Sequence, residues 1–135
     1  MNFAYMQQEG FIRIVTPNMA RAKSLEIASE ETLETVLLIP LTKTSSKTIV
    51  RDLYEALRQM IESKGYAKGF KFENHESLKY FLQEKLQLKE LALYFDTLRK
   101  IRNGINYYGD KVNLETARDA LTLVPKYISQ LKDIS

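Results

Sequence analysis

The run Ser46-Lys47-Thr48-Ile49-Val50-Arg51-Asp52-Leu53-Tyr54-Glu55-Ala56-Leu57-Arg58-Gln59-Met60-Ile61-Glu62-Ser63-Lys64 decides the architecture. Ile49, Leu53, Leu57, Met60 and Ile61 recur three or four residues apart, the period of a helix buried along one side. Ser45 or Ser46 suits the start as an N-cap. Gly65 is expected to stop the helix near Lys64, and Gly65-Tyr66-Ala67-Lys68-Gly69-Phe70 reads as a loop with two glycine breakers.

The same period extends outward in both directions. Upstream, Thr16-Pro17 reads as a helix start, and Ala22, Leu25, Ala28, Leu33, Val36 and Leu37 approximate one face of a helix from Pro17 to about Ile39, ended by Pro40. Downstream, Asn74 suits an N-cap, and Leu78, Phe81, Leu82 and Leu86 make a third stripe before a break near Gln87 to Lys89. A fourth helix is expected from about Glu90 to Tyr108, with Leu91, Tyr94, Phe95, Leu98, Ile101 and Ile105 on one side and Gly109 as its stop. Asn113 suits the cap of a fifth, whose stripe is Leu114, Ala117, Leu121, Val124, Ile128 and Leu131, with a kink expected at Pro125. Amphipathic helices joined by short loops bury their stripes only against one another. The expected fold is therefore all-α: an antiparallel, up-and-down bundle of about five helices over residues 17–135. Residues 1–16 form an N-terminal extension, in which Gly10 to Val15 alternates and reads as a short extended segment that lies on the bundle, pairs with a copy of itself, or is loose.

Composition narrows the chemistry. The chain has 135 residues, no cysteine and a single histidine, His75. A disulfide framework, a thiolate zinc site, a cysteine nucleophile and a site of several histidines are all excluded. No cofactor is called for. The N-terminus lacks a basic stretch followed by an apolar one, and no apolar run approaches membrane-spanning length, so a cytoplasmic protein with no membrane partner is expected. The net charge of +3 permits contact with nucleic acid without demanding it.

The stretch that could carry chemistry is Leu98-Arg99-Lys100-Ile101-Arg102-Asn103-Gly104-Ile105-Asn106-Tyr107-Tyr108-Gly109. At about 100° per residue, Asn106, Asn103 and Tyr107 fall roughly 40°, 100° and 140° from Arg102, while Ile101 and Ile105 turn to the other side. Such a polar sector is suited to a phosphate, with Arg102 as a bidentate donor. Gly104 inside the helix suggests close approach of another group. Arg99, Lys100 and Lys111 add basic charge that could steer an anion, offset by Asp96 and Asp110. The blander reading is a helix end whose polar residues meet carbonyls and solvent. By the same logic, Asp52, Glu55 and Arg58 read as surface ion pairs, and Tyr94 and Phe95 as core.

At these residues the chain resembles the HEPN family (higher eukaryotes and prokaryotes nucleotide-binding domains). That family carries an arginine, often followed by asparagine, then variable residues and a histidine, late in a long helix. Arg102 stands at the arginine position, Asn103 at the polar position after it, and Tyr107 at the histidine position. Leu53 to Arg58 resembles the family's second helix, and Asn74 to Leu78 the start of its third. The resemblance runs from about Pro17 to Asp133. It implies a homodimer whose motif helices meet at the interface, in some members a partner of the minimal nucleotidyltransferase type in toxin–antitoxin pairs, and in many a metal-independent ribonuclease. It assigns Arg102 and Tyr107 to the catalytic positions, with Asn103, Asn106 and Arg99 as ligand-binding neighbours and no metal.

Tyrosine departs from the pattern. Its ordinary pKa is near 10 against about 6.5 for histidine, so at neutral pH it is a poor proton carrier. The expected function is a nucleotide- or RNA-binding module with a degenerate site. An active ribonuclease toxin and a non-catalytic protein-interaction scaffold are the alternatives. His75, in the first turn of the third helix, reads as a residue that hydrogen-bonds or faces water, with the helix terminus lowering its pKa.

Overall fold

The computed structural model describes residues 1–134; Ser135, the last position of the expected bundle, lies outside them. The fold is all-α in its bulk. In chain order it comprises α1 (Phe3–Gln8), β1 (Ile12–Ile14), α2 (Met19–Val36), α3 (Ser46–Lys68), β2 (Phe70–Phe72), α4 (Ser77–Tyr80) running into a π-helical turn (Phe81–Lys85), α5 (Lys89–Tyr108) and α6 (Leu114–Lys132).

α3 is the central element, with α2, α5 and α6 packed around it. Its apolar stripe is wholly buried: Ile49, Leu53, Leu57, Met60 and Ile61 expose nothing to solvent. α2 runs antiparallel to it. The Ser63 hydroxyl donates to the Ala22 carbonyl and the Ser29 hydroxyl to the Ala56 carbonyl, each at 2.6 Å. These two serines let the backbones approach closely while keeping their own buried hydroxyls paired. α6 instead runs parallel to α3. At one end Ser46 Oγ donates to the Val112 carbonyl at 2.6 Å, and at the other Lys64 Nζ reaches the Ile134 carbonyl at 3.0 Å. α5 returns antiparallel to both: its Phe95 stacks on Tyr54, and its Tyr94 lies 5.6 Å from Tyr127 of α6. The all-α class read from the stripes is the observed one, but the third stripe is only α4 and its π turn: four long helices alternate in direction, and α6 therefore lies parallel to α3 where five alternating helices would have set them antiparallel.

The N-terminal segment differs from its expected form. Asn2 caps α1 by accepting from the Tyr5 amide at 2.8 Å, and Phe3 and Met6, one helical turn apart, are buried in the common core. The extended segment pairs within the chain. β1 and β2 form an antiparallel ribbon with Ile12 opposite Phe72 and Ile14 opposite Phe70.

The expected stop at Gly65 and the loop after it are also corrected. α3 passes through Gly65 to Lys68, because the missing side chain is a packing requirement: a Cβ there would collide with the Phe72 ring of β2. The real stop is Gly69, in the left-handed region at φ +88°, whose amide closes the last turn on the Gly65 and Tyr66 carbonyls. Other boundaries move by a few residues. α2 starts after Asn18, not Thr16; the Asn18 side chain accepts from the Arg21 amide at 3.0 Å. The N-cap of α4 is Glu76 and not Asn74, although the Asn74 side chain accepts from the Ser77 amide at 2.9 Å, and α6 continues through Pro125 to Lys132. Among the described residues no helix is long and apolar enough to cross a membrane.

Candidate functional site

α5 carries the polar stretch because its apolar stripe, through Phe95, Leu98 and Ile105, fixes its rotation against the core. Gly104 sits where the Asp110 carboxylate folds back against the helix, so the expected close approach comes from this chain's own loop. Gly109, at φ +66°, ends the helix.

The rotation sends Arg102 inward. Its guanidinium lies 5.3 Å from the centre of the Tyr54 ring, and Nη1 donates to Asn103 Oδ1 at 3.0 Å. Tyr54 comes from the middle of α3 and is fully buried. It stacks on Phe95 with ring centres 5.3 Å apart, and its hydroxyl lies 2.9 Å from Nδ1 of His75, in the turn between β2 and α4. Four side chains from three separate parts of the chain thus meet at one point: Arg102 and Asn103, Tyr54, and His75.

Ion pairs flank this point on both sides. On α3, Arg58 is held between Glu55 and Glu62. On α5, Asp96, only 7% exposed, is bound by Arg99 at 2.9 Å, Lys100 at 3.3 Å and Lys79 at 3.6 Å. Burial pushes the Asp96 carboxyl up, but hydrogen bonds from Arg99 and Lys100 prevail and hold it below the usual range. Glu55 is held low in the same way, with the Arg58 hydrogen bond overcoming burial. Arg58 and Arg99 therefore have their donors committed. Arg102, half-buried in the same neighbourhood, forms no ion pair among the described residues, although its charge helps to hold Glu55 low; most of its donors are left for an incoming acceptor.

The expected polar sector divides. Arg102 and Asn103 join the cluster, whereas Asn106 is exposed and Tyr107 and Tyr108 are 71% and 81% exposed. Within one protomer Tyr107 takes no part in the Arg102 cluster, and Arg99 serves Asp96. The Glu55–Arg58 pair read as a surface feature is partly buried and extended by Glu62. One member of the cluster escaped the sequence. Tyr54 sits among the apolar positions of α3, and a buried phenol needs a partner for its hydroxyl, which was the available signal. That partner, His75, hydrogen-bonds, the first of the two alternatives read for it, and burial rather than the helix terminus is the main cause of its lowered pKa. Its pKa is pulled down, to about 4, first by burial and then by the charges of Arg58 and Arg102, with Glu55 opposing. Burial also pushes the Tyr54 hydroxyl above its ordinary range, so both members of the pair are neutral at pH 7.

No protein-family model, curated protein or solved structure matches this chain. Its function is therefore argued from the site.

The lone histidine makes the site's protonation measurable. The unfolded chain takes up a proton near the ordinary 6.5, the folded protein only near 4. Between these values the unfolded state binds more protons, so stability is full above pH 6.5 and falls as the pH drops towards 4. For this half-exposed ring the expected loss between pH 7 and pH 5 is about 1 kcal/mol, after discounting for solvent screening. Urea midpoints across that range should show the slope, and His75→Gln should flatten it. An imidazole that titrates near 6.5 by proton NMR contradicts the buried pairing.

Proposed function

We propose that this chain is a HEPN-like module that binds RNA or a nucleotide at Arg102, with Tyr107 at the position where that family carries histidine. The supporting observation is the half-buried Arg102 guanidinium, held over the Tyr54 ring and without an ion pair among the described residues. An arginine held on an aromatic face is already oriented for a phosphate, and less freedom is lost on binding. The exposed Tyr107 and Tyr108 rings, about one and a half helical turns further on, offer stacking surfaces to bases. In this reading the protein acts as a homodimer in which the exposed ends of two α5 helices meet, and a nucleotidyltransferase-type protein is a candidate partner.

A second reading is favoured by one observation. His75 shares Tyr54 with Arg102, and its Nε2 has no protein partner among the described residues. A neutral imidazole there could take the proton of an RNA 2′-hydroxyl. The 2′-oxygen would attack phosphorus, and the 5′-oxygen would leave and be protonated in its turn, giving a cyclic phosphate without a metal.

Both readings are tested with single-stranded RNA in the absence of metal, measuring binding and cleavage together. Arg102→Ala is expected to weaken RNA binding about tenfold, the loss of roughly one charge-assisted hydrogen bond. Wild type is expected to bind without turnover, and Tyr107→His to introduce cleavage that Arg102→Ala removes. Unchanged affinity in Arg102→Ala would overturn the first reading. Wild-type cleavage that disappears in His75→Gln selects the second. A strictly monomeric protein in light scattering removes the shared site between two α5 helices.

A further inference from the structure

A second concave site lies apart from the Arg102 cluster, at the end of the bundle where the α2–α3 and α5–α6 connections meet. Its volume is about 760 Å³, and Lys43, Lys47 and Lys111 stand on its walls with Val112 and Asn113. All three lysines are exposed, and none forms an ion pair among the described residues. No carboxylate lines the cleft. Asp110, next to Lys111 in sequence, turns its carboxylate against Gly104 instead.

The walls are held by the protein itself. Ser46 is 1% exposed, and its hydroxyl lies 2.6 Å from the Val112 carbonyl and 3.2 Å from the Lys43 carbonyl, tying the two connections together. The cleft therefore exists before any ligand arrives. Because α3 and α6 run parallel, both also begin here, and their positive ends reinforce the ammonium groups.

Three uncompensated ammonium groups in one preformed cleft call for a multiply charged anion. The volume falls in the usual range for small-molecule sites, about 300–1,000 Å³. An extended strand would need a groove that continues beyond it. We propose that this cleft binds a short polyphosphate chain, free or at the end of a nucleotide, with Lys43, Lys47 and Lys111 neutralising the phosphates. The inference does not rest on the Arg102 reading, since the two sites share no residue.

Isothermal titration of the full chain with ATP, AMP, inorganic tripolyphosphate and single-stranded RNA tests it. ATP and tripolyphosphate are expected to bind in the cleft, and AMP there at least tenfold more weakly. Lys47→Ala with Lys111→Ala should reduce ATP affinity at least tenfold without moving the melting temperature, because both side chains are exposed. Lys126→Ala, at an exposed lysine outside the cleft, should leave ATP binding unchanged. The proposal is overturned if ATP and tripolyphosphate do not bind, or if Arg102→Ala rather than the lysine pair removes binding. It is also overturned if the lysine pair weakens RNA binding but not ATP binding, which would make the cleft part of a nucleic-acid track.

Discussion

Tyr54→Ala is expected to lower the unfolding free energy by about 3–5 kcal/mol, the range for removing a buried aromatic ring from a packed core. Tyr54 is fully buried, stacked on Phe95 and covered by the Arg102 guanidinium, so truncation opens a cavity that no neighbour fills. It also removes the partner of His75. Urea unfolding measures the first effect. Tyr54→Phe separates the two: it keeps the ring and the stacking, and loses one hydrogen bond, for an expected cost of about 1 kcal/mol. If Tyr54→Phe proves as damaging as Tyr54→Ala, the hydroxyl and not the ring carries the site, and the packing argument fails.

Gly69→Ala is the other large effect, with an expected loss of about 2–3 kcal/mol. The backbone there has φ +88°, which a side chain disfavours. A Cβ would in addition stand 2.7 Å from the Val15 carbonyl oxygen, a backbone atom that cannot rotate aside. The Val15 amide donates to the Gly69 carbonyl at 2.9 Å, so the collision falls on a connection between the N-terminal segment and the end of α3. Gly109→Ala is the matched control. It has a similar φ, +66°, but nothing within 4 Å, so it should cost only the conformational part. Equal losses at the two positions would mean that the contact with Val15 contributes nothing.

The bundle was legible because its information is local. Ile49 to Ile61 and Leu91 to Ile105 repeat at a helical period over several turns, and such a stripe has one way to be buried. Of the ribbon only β1 was legible, in the alternation of Gly10 to Val15. Phe70-Lys71-Phe72 is too short to carry a period of its own, and its partner Ile12-Arg13-Ile14 lies far away in sequence. Gly65 misled for a related reason. A glycine in a helix reads as a breaker until the Phe72 ring that needs its space is known. At the site, Arg102 stood out as a polar residue on a helix whose apolar face was clear. The helical wheel placed Tyr107 correctly on α5 but could not say that Arg102 would turn inward onto another helix. The Tyr54–His75 contact joins residues 21 apart through tertiary packing, and no spacing rule encodes it.

The β1–β2 ribbon also bears on the order of folding. α2 and α3 are sequence neighbours joined by a short connection, whereas both of them lie between β1 and β2 in the chain. Closing so long a loop is entropically late work. The N-terminal segment should therefore dock last and open first. In native-state hydrogen exchange, the amides of Ile12 to Val15 are then set to exchange through a local opening, while those in the middle of α3 wait for global unfolding.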